Sequence, residues 1–230
     1  MSNTPSSVEK PYIDFTLLLA DATLEDFERL CQTALEEENR KVIRAVCVLP
    51  EPRIIAFCQK MLKDSGIMVA VVNDFPLGRG GKDAKRRGAF AAREAGVDEI
   101  DTVLNTGLLR EGRYREAGDE LRGVVEAFPN ATKVIIESGH TWYTEDLVKG
   151  ATKLIASSGA FCVKTSTGFI DNIAPEVKVQ HVAWMHEAEP GLMKKAAGSY
   201  KKLAQVQLLW DVVPRDKIIV GASSPFWRSS

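Results

Sequence analysis

The sequence carries almost no net charge. Its 230 residues include 30 lysines and arginines against 31 aspartates and glutamates, so nothing draws the chain as a whole to nucleic acid or to an anionic membrane. Long apolar runs are missing as well. None approaches the roughly 18 residues that a spanning helix needs, and residues 1–10 have neither the basic nor the apolar region of a secretory signal. Cysteines number four and histidines three. Cys31, Cys47, Cys58 and Cys162 show no C-x-x-C spacing and sit in apolar segments, which predicts buried small hydrophobes rather than ligands or disulfides. His140, His181 and His186 form no H-E-x-x-H, so no metal site is expected. The compartment that fits is a reducing cytoplasm. A dinucleotide fingerprint after the first apolar run and a serine-hydrolase elbow are both absent. The segment Gly78 to Asp83 has the look of a phosphate loop, but Pro76 stands where its first glycine belongs and Asp83 where a hydroxyl belongs. It is expected instead to be a flexible loop. No basic-aromatic interleaving marks a nucleic-acid surface, and Trp142, Trp184, Trp210 and Trp227 are expected to be packing or surface residues.

What is present is a full core: 45% of residues are hydrophobic and 27% charged, the composition of a folded globular chain. Short apolar runs and amphipathic stretches alternate from end to end. Runs at Ile13–Leu18, Lys41–Leu49, Ile67–Asn73, Glu99–Leu104, Thr132–Glu137, Ala160–Thr165, Leu192–Lys195 and Lys217–Gly221 read as strands. Between them, helices are predicted near Leu24–Leu35, Ile54–Lys63, Lys82–Ala95, Tyr114–Phe128, Thr144–Ser157, from Pro175 onward, and Lys201–Trp210. Strands alternating with helices of these lengths imply a parallel sheet with crossover helices. Eight such units predict a closed (β/α)8 barrel, with an open doubly wound sheet as the alternative. Residues 1–230 are expected to form one barrel domain, with residues 1–12 a flexible N-terminal segment. After the last strand the remaining residues are too few for a full eighth helix. Another segment or a second copy must then cover that wall, unless the natural chain has been shortened, and a homodimer is one expectation.

In a barrel of this kind the C-terminal strand ends carry the chemistry. Here those ends hold Asp14 and Thr16, Cys47, Asn73, Asp101 and Asn105, Glu137, Lys164 with Thr165 and Thr167, Lys195, and Ser223 with Ser224. Burying this many charges costs several kcal/mol each unless a function retains them. Lys164 ends an apolar strand, where its charged form is penalised. Of Lys194 and Lys195, the first is expected to be solvated and the second to face inward. Gly198–Ser199 and Gly221–Ser224 follow strands seven and eight, where such barrels bind phosphate through backbone N–H groups and hydroxyls.

The run Val163-Lys164-Thr165-Ser166-Thr167-Gly168-Phe169 resembles the Schiff-base lysine motif of the deoxyribose-phosphate aldolase family. The resemblance extends over nearly the whole chain, through Ile13–Leu18, Ala45–Val48, Asp74–Gly78, Asp98–Asp101, Val134–Glu137, Lys195–Gly198 and Gly221–Ser224. It implies a class I aldolase that reversibly cleaves 2-deoxyribose 5-phosphate to acetaldehyde and glyceraldehyde 3-phosphate, without metal or cofactor. Lys164 would be the imine-forming nucleophile, with Asp101 and Lys195 relaying protons and tuning it. Cys47 would line the site, and Asp14, Thr16 and Glu137 would contact substrate. Thr167 would also contact substrate, and Gly168, Gly198, Ser199, Ser223 and Ser224 would hold the phosphate. The physics agrees: a free lysine, with a pKa of about 10.4, is almost wholly protonated at neutral pH. A second ammonium about 4 Å away costs roughly 4 kcal/mol at an effective dielectric near 20, which favours the free amine. The chain departs from the family pattern at Phe15, at Ser138, at Ser199, and at Tyr200–Lys201 where a cationic residue is usual. Alternatives from the same residues are a Schiff-base aldolase with another acceptor aldehyde and a catalytically silent sugar-phosphate-binding barrel.

Overall fold

Apolar alternation at the strand level is what closes this chain on itself. A computed structural model describes residues 12–170, 173–198 and 200–228. Eight parallel strands pair in sequence order into a closed barrel: β1 (Ile13–Thr16), β2 (Ile43–Val48), β3 (Met68–Asn73), β4 (Glu99–Val103), β5 (Thr132–Ile135), β6 (Cys162–Lys164), β7 (Met193–Ala196) and β8 (Ile218–Ala222). The final pairing of β8 with β1 rules out the open sheet. Around it lie α1 (Leu24–Leu35), α2 (Glu37–Arg40), α3 (Pro52–Met61), α4 (Gly81–Glu94), α5 (Thr106–Arg110), α6 (Tyr114–Ala127), α7 (Glu145–Ser157), α8 (Pro175–Ala188) and α9 (Leu203–Trp210).

The local signals explain the boundaries. Thr23 caps α1 in a reciprocal pair with Asp26, and α1 then buries Phe27, Leu30, Cys31 and Ala34, the one-face spacing of an amphipathic helix. Thr144 caps α7, and Pro52 opens α3, where its missing N–H costs nothing. Two short helices, α2 and α5, carry no periodic signal and are not anticipated by the sequence. Asn105, one of the strand-end candidates, is spent on capping α5 through Leu108 N. The main hydrophobic core lies between the barrel wall and the helices, while Leu18, Cys47, Ala70 and Val72 form a small apolar cluster of their own.

Two expectations are corrected. Lys194 is not solvated: it is fully buried and donates to the carbonyls of Glu189 (2.7 Å) and Leu192 (2.6 Å), tying β7 to the end of α8. The Gly78–Asp83 segment is not a free loop. Gly80 N donates to Asp74, the buried Lys85 bridges Asp74 (2.5 Å) and Gly78 O (2.6 Å), and Gly81 already begins α4.

The wall after β8 is occupied by the chain itself. A single 3-10 turn, Phe226–Arg228, stands where an eighth helix would. Phe226 is buried, and Trp227 meets Phe15 of β1 edge-on with ring centroids 5.9 Å apart. Trp227 Nε1 donates to the buried Asn39 at 2.9 Å. Trp227→Ala therefore removes a wall contact and one hydrogen bond to the buried Asn39. We expect a loss of roughly 2–3 kcal/mol, at the low end of aromatic truncations because the ring is only partly covered. Chemical denaturation at constant m-value measures it.

Candidate active site

Strand register assembles the charged residues. Asp101 lies beside Lys133 across the β4–β5 pair, and Lys164 beside Lys195 across β6–β7. All four face the barrel interior and meet there. Lys164 Nζ and Lys195 Nζ each donate to Asp101 Oδ2 at 2.8 Å, and Lys133 Nζ donates to Asp101 Oδ1 at 2.8 Å. Lys195 also pairs with Asp14 Oδ2 at 2.5 Å. Two ammonium groups on a single carboxylate oxygen stand within twice a hydrogen-bond length of each other.

The electrostatics follow from that contact set. Burial alone would push the Asp101 carboxyl up, but Lys133, Lys164 and Lys195 outweigh it and hold it well below the usual carboxylate range. The same balance, struck with Lys133, Lys195 and Arg44, holds Asp14 low. Burial would pull Lys195 and Lys133 down, but the carboxylates of Asp101 and Asp14 keep both ammonium groups above the ordinary lysine range. Both therefore stay charged at neutral pH.

Above this cluster, at the C-terminal strand ends, opens a cavity of about 470 Å³. Lys164 is the member of the cluster that lines it. Thr16, Thr167, Gly168, Gly198 and Ser223 form its walls with Leu17, Leu19 and Phe169, and Tyr200 and Lys201 complete the wall after β7. Gly168 and Gly198 adopt φ of +90° and +77°, the left-handed region that favours glycine. A side chain at Gly198 would also run into Lys178 Nζ, which donates to Gly198 O at 2.9 Å. Gly221 is needed for room: a methyl there would sit 3.1 Å from Ala197 Cβ and 3.5 Å from Lys195 Cε.

Several residues expected to touch substrate are placed elsewhere. Asp14 lies one inward step deeper than Thr16 and is consumed by ion pairs to Lys195, Lys133 and Arg44. Cys47 is fully buried inside the barrel beside the charge cluster, packed with Leu18 and outside the cavity lining, and burial pushes its thiol up to about 11. Glu137, at φ +51°, spends both carboxylate oxygens on Thr167 N (3.2 and 3.1 Å), so it clamps the loop after β6 rather than facing the cavity. Burial pushes its carboxyl above the usual range. Ser224 is exposed and outside the cavity wall, and Asn73 donates to Lys85 O and Thr102. Ser199 lies outside the described residues. Sequence reasoning missed Lys133, Arg44 and Glu99. None of the three sits at the C-terminal end of its strand, and the signal that could have found them is a charged residue in an apolar run.

No protein-family model matches the chain. Curated proteins do. It is 41% identical over 162 residues to the deoxyribose-phosphate aldolase of Carboxydothermus hydrogenoformans, covering 68% of each chain. It is 35% identical over 202 residues to that of Staphylococcus carnosus, covering 87% of each. The chain belongs to the deoxyribose-phosphate aldolase family. Solved structures agree. The family member from Aeropyrum pernix, described as tetrameric, superposes with a TM-score of 0.75 at 25% identity, covering 93% of this chain and 86% of that one. An aldolase designated QR15 superposes at 0.79 with 26% identity, covering 94% and 91%.

Proposed function

We propose that the protein is a class I aldolase that reversibly cleaves 2-deoxyribose 5-phosphate to acetaldehyde and glyceraldehyde 3-phosphate, with Lys164 as the nucleophile. The observation that carries the reading is Lys164 Nζ at the cavity floor, held by Asp101, which also holds Lys195. In the cleavage direction the amine attacks C1 of the open-chain aldehyde and loss of water gives the iminium. Removal of the C3 hydroxyl proton breaks the C2–C3 bond, and its electrons neutralise the iminium as an enamine. Protonation of the enamine carbon and hydrolysis release acetaldehyde and restore the amine. The ammonium of Lys195, kept charged by two carboxylates, supplies and recovers protons beside Lys164, and Asp101 fixes both.

The cluster holds three carboxylates (Asp14, Glu99, Asp101) and four cations (Arg44, Lys133, Lys164, Lys195). Among the described residues Lys164 is the cation of this cluster with the fewest carboxylate contacts. The phosphorylated end is assigned to Thr167, Gly168, Gly198 and Ser223 at the mouth, with Lys201 supplying positive charge. Leu17, Leu19 and Phe169 make part of that mouth apolar, which favours the variant reading in which unphosphorylated acceptor aldehydes are also taken.

The test is trapping with acetaldehyde and borohydride. We expect one reduced ethyl group per chain, located on Lys164 by peptide mass. A folded protein without the adduct would leave only a sugar-phosphate binder. We place the reaction in a reducing cytoplasm, a reading supported by four buried, unbridged cysteines; among the described residues no helix is long and apolar enough to cross a membrane. Self-association belongs to the same reading, since the Aeropyrum pernix relative is tetrameric. A homodimer through the wall after β8 is the form that sedimentation would examine, against the Phe226–Trp227 cover already on that wall.

A further inference from the structure

The ion pairs do not stop at the catalytic lysines. From Asp101 they continue through Lys133 to Glu99 Oε2 (2.6 Å), and from Glu99 Oε1 to Arg44 Nη2 (2.5 Å). Arg44 closes the loop on Asp14 Oδ1 at 2.8 Å. Glu99 opens β4 and Arg44 lies near the start of β2, so this end of the chain of charges is opposite the cavity mouth. Asp14, Asp101, Lys133 and Lys195 have no exposed side-chain surface, whereas those of Glu99 and Arg44 are 8% and 16% exposed. The charges therefore cross the barrel from the substrate cavity to the far end.

Arg44 reaches the interior through a distortion built into the sheet. Between the pairs Ile13↔Ile43 and Asp14↔Ala45, β2 advances two residues while β1 advances one. The extra residue is Arg44. Such a bulge re-aims a side chain, and here it turns a guanidinium onto two carboxylates. Burying a guanidinium and a carboxylate instead of two aliphatic side chains adds little stability by itself.

The geometry points to Arg44 and Glu99 as positioning residues that set, through Lys133 and Asp101, how much of Lys164 is free amine. This rests on the reading of Lys164 as the imine-forming group. Low dielectric and short contacts transmit charge along the cluster with little screening. The remaining titratable groups around it are few. Cys47 and Cys162 are thiols that burial pushes up to about 11 and about 12, so both are neutral. Glu137 accepts from Thr167 N and also acts electrostatically on Lys164, an influence common to wild type and variants; β3 and β8 contribute none, and Tyr200 and Lys201 lie in the cavity wall.

The test is the pH profile of acetaldehyde–borohydride trapping on Lys164. Glu99→Gln removes an anion, leaves surplus positive charge, and is expected to move the profile's midpoint to lower pH. Arg44→Met removes a cation and is expected to move it to higher pH. Each shift is roughly half to one pH unit, the scale of one charge about 10 Å away at intermediate dielectric. Arg44→Lys keeps the charge and the wild-type midpoint, and serves as the partner comparison if Glu99→Gln does not fold. Midpoints that stay put, or move in the same direction in both variants, would overturn the inference while wild-type trapping leaves the aldolase reading intact. Absence of the wild-type adduct would instead remove that reading.

Discussion

Lys164→Ala is expected to lower the retro-aldol rate by roughly 10⁴-fold or more, because the covalent path is lost and only binding and residual proton transfer remain. The measurement is glyceraldehyde 3-phosphate release from 2-deoxyribose 5-phosphate, with borohydride trapping as the structural check. What makes the variant decisive is its expected stability. Lys164 is the surplus cation of a cluster with three carboxylates, so its removal leaves three against three. Asp101 keeps hydrogen bonds from Lys133 and Lys195 after the change. Thermal unfolding should therefore stay close to wild type while activity disappears. Lys164→Arg makes the complementary case: it restores the charge, yet a guanidinium does not deprotonate in proteins and forms no imine. Substantial activity in either variant would move the nucleophile elsewhere.

The eight strands were legible because each is a short apolar run bounded by capping or turn residues, and because β/α alternation permits few architectures. Strand ends shifted by a residue or two: the sequence pattern runs Ala160–Thr165 where β6 is Cys162–Lys164, since ladder bonds and not hydrophobicity set the limits. Lys164, Asp101 and Lys195, which the structure brings into contact, were legible as charges in or at the end of buried runs. The depth of the charge cluster was not. Lys133 and Glu99 look like ordinary strand residues, because alternation cannot say which face of a β-strand meets a barrel interior when both faces are covered. Arg44 was hidden for a sharper reason, since a strict period of two would send it outward and only the bulge turns it in. Glu137 was legible as a carboxylate after a buried run, but its partner within the chain was not. Its contact is a backbone amide thirty residues along the chain, and only the fold brings the two together.

Asp101→Asn should damage both activity and stability, and the pH dependence of the damage separates the two. Catalytic loss of roughly 10²–10⁴-fold is expected when a positioned proton-transfer partner is removed. Three ammonium groups also lose their shared anion, and breaking a buried ionic contact from one side costs about 3–5 kcal/mol. In the wild type, Asp101 and Asp14 are held below their ordinary value near 3.8, so their contribution is full above that pH and is lost as pH falls beneath it. Lys133 and Lys195 are held above 10.5, so theirs is full below that pH and is lost as pH rises past it. Between these limits Asp14, Asp101, Lys133 and Lys195 add no pH dependence to wild-type stability. The variant reverses the sign for the lysines. Crowded ammonium groups without an anion shed a proton in the folded state that the unfolded chain keeps, and stability rises with pH wherever the unfolded state binds more protons. Asp101→Asn should thus unfold at a lower temperature than wild type at pH 6 and recover part of the difference by pH 9. An equal deficit at both pH values would mean that the amide pairs the three lysines as well as the carboxylate does. Asp101 would then act by its shape and not by its charge.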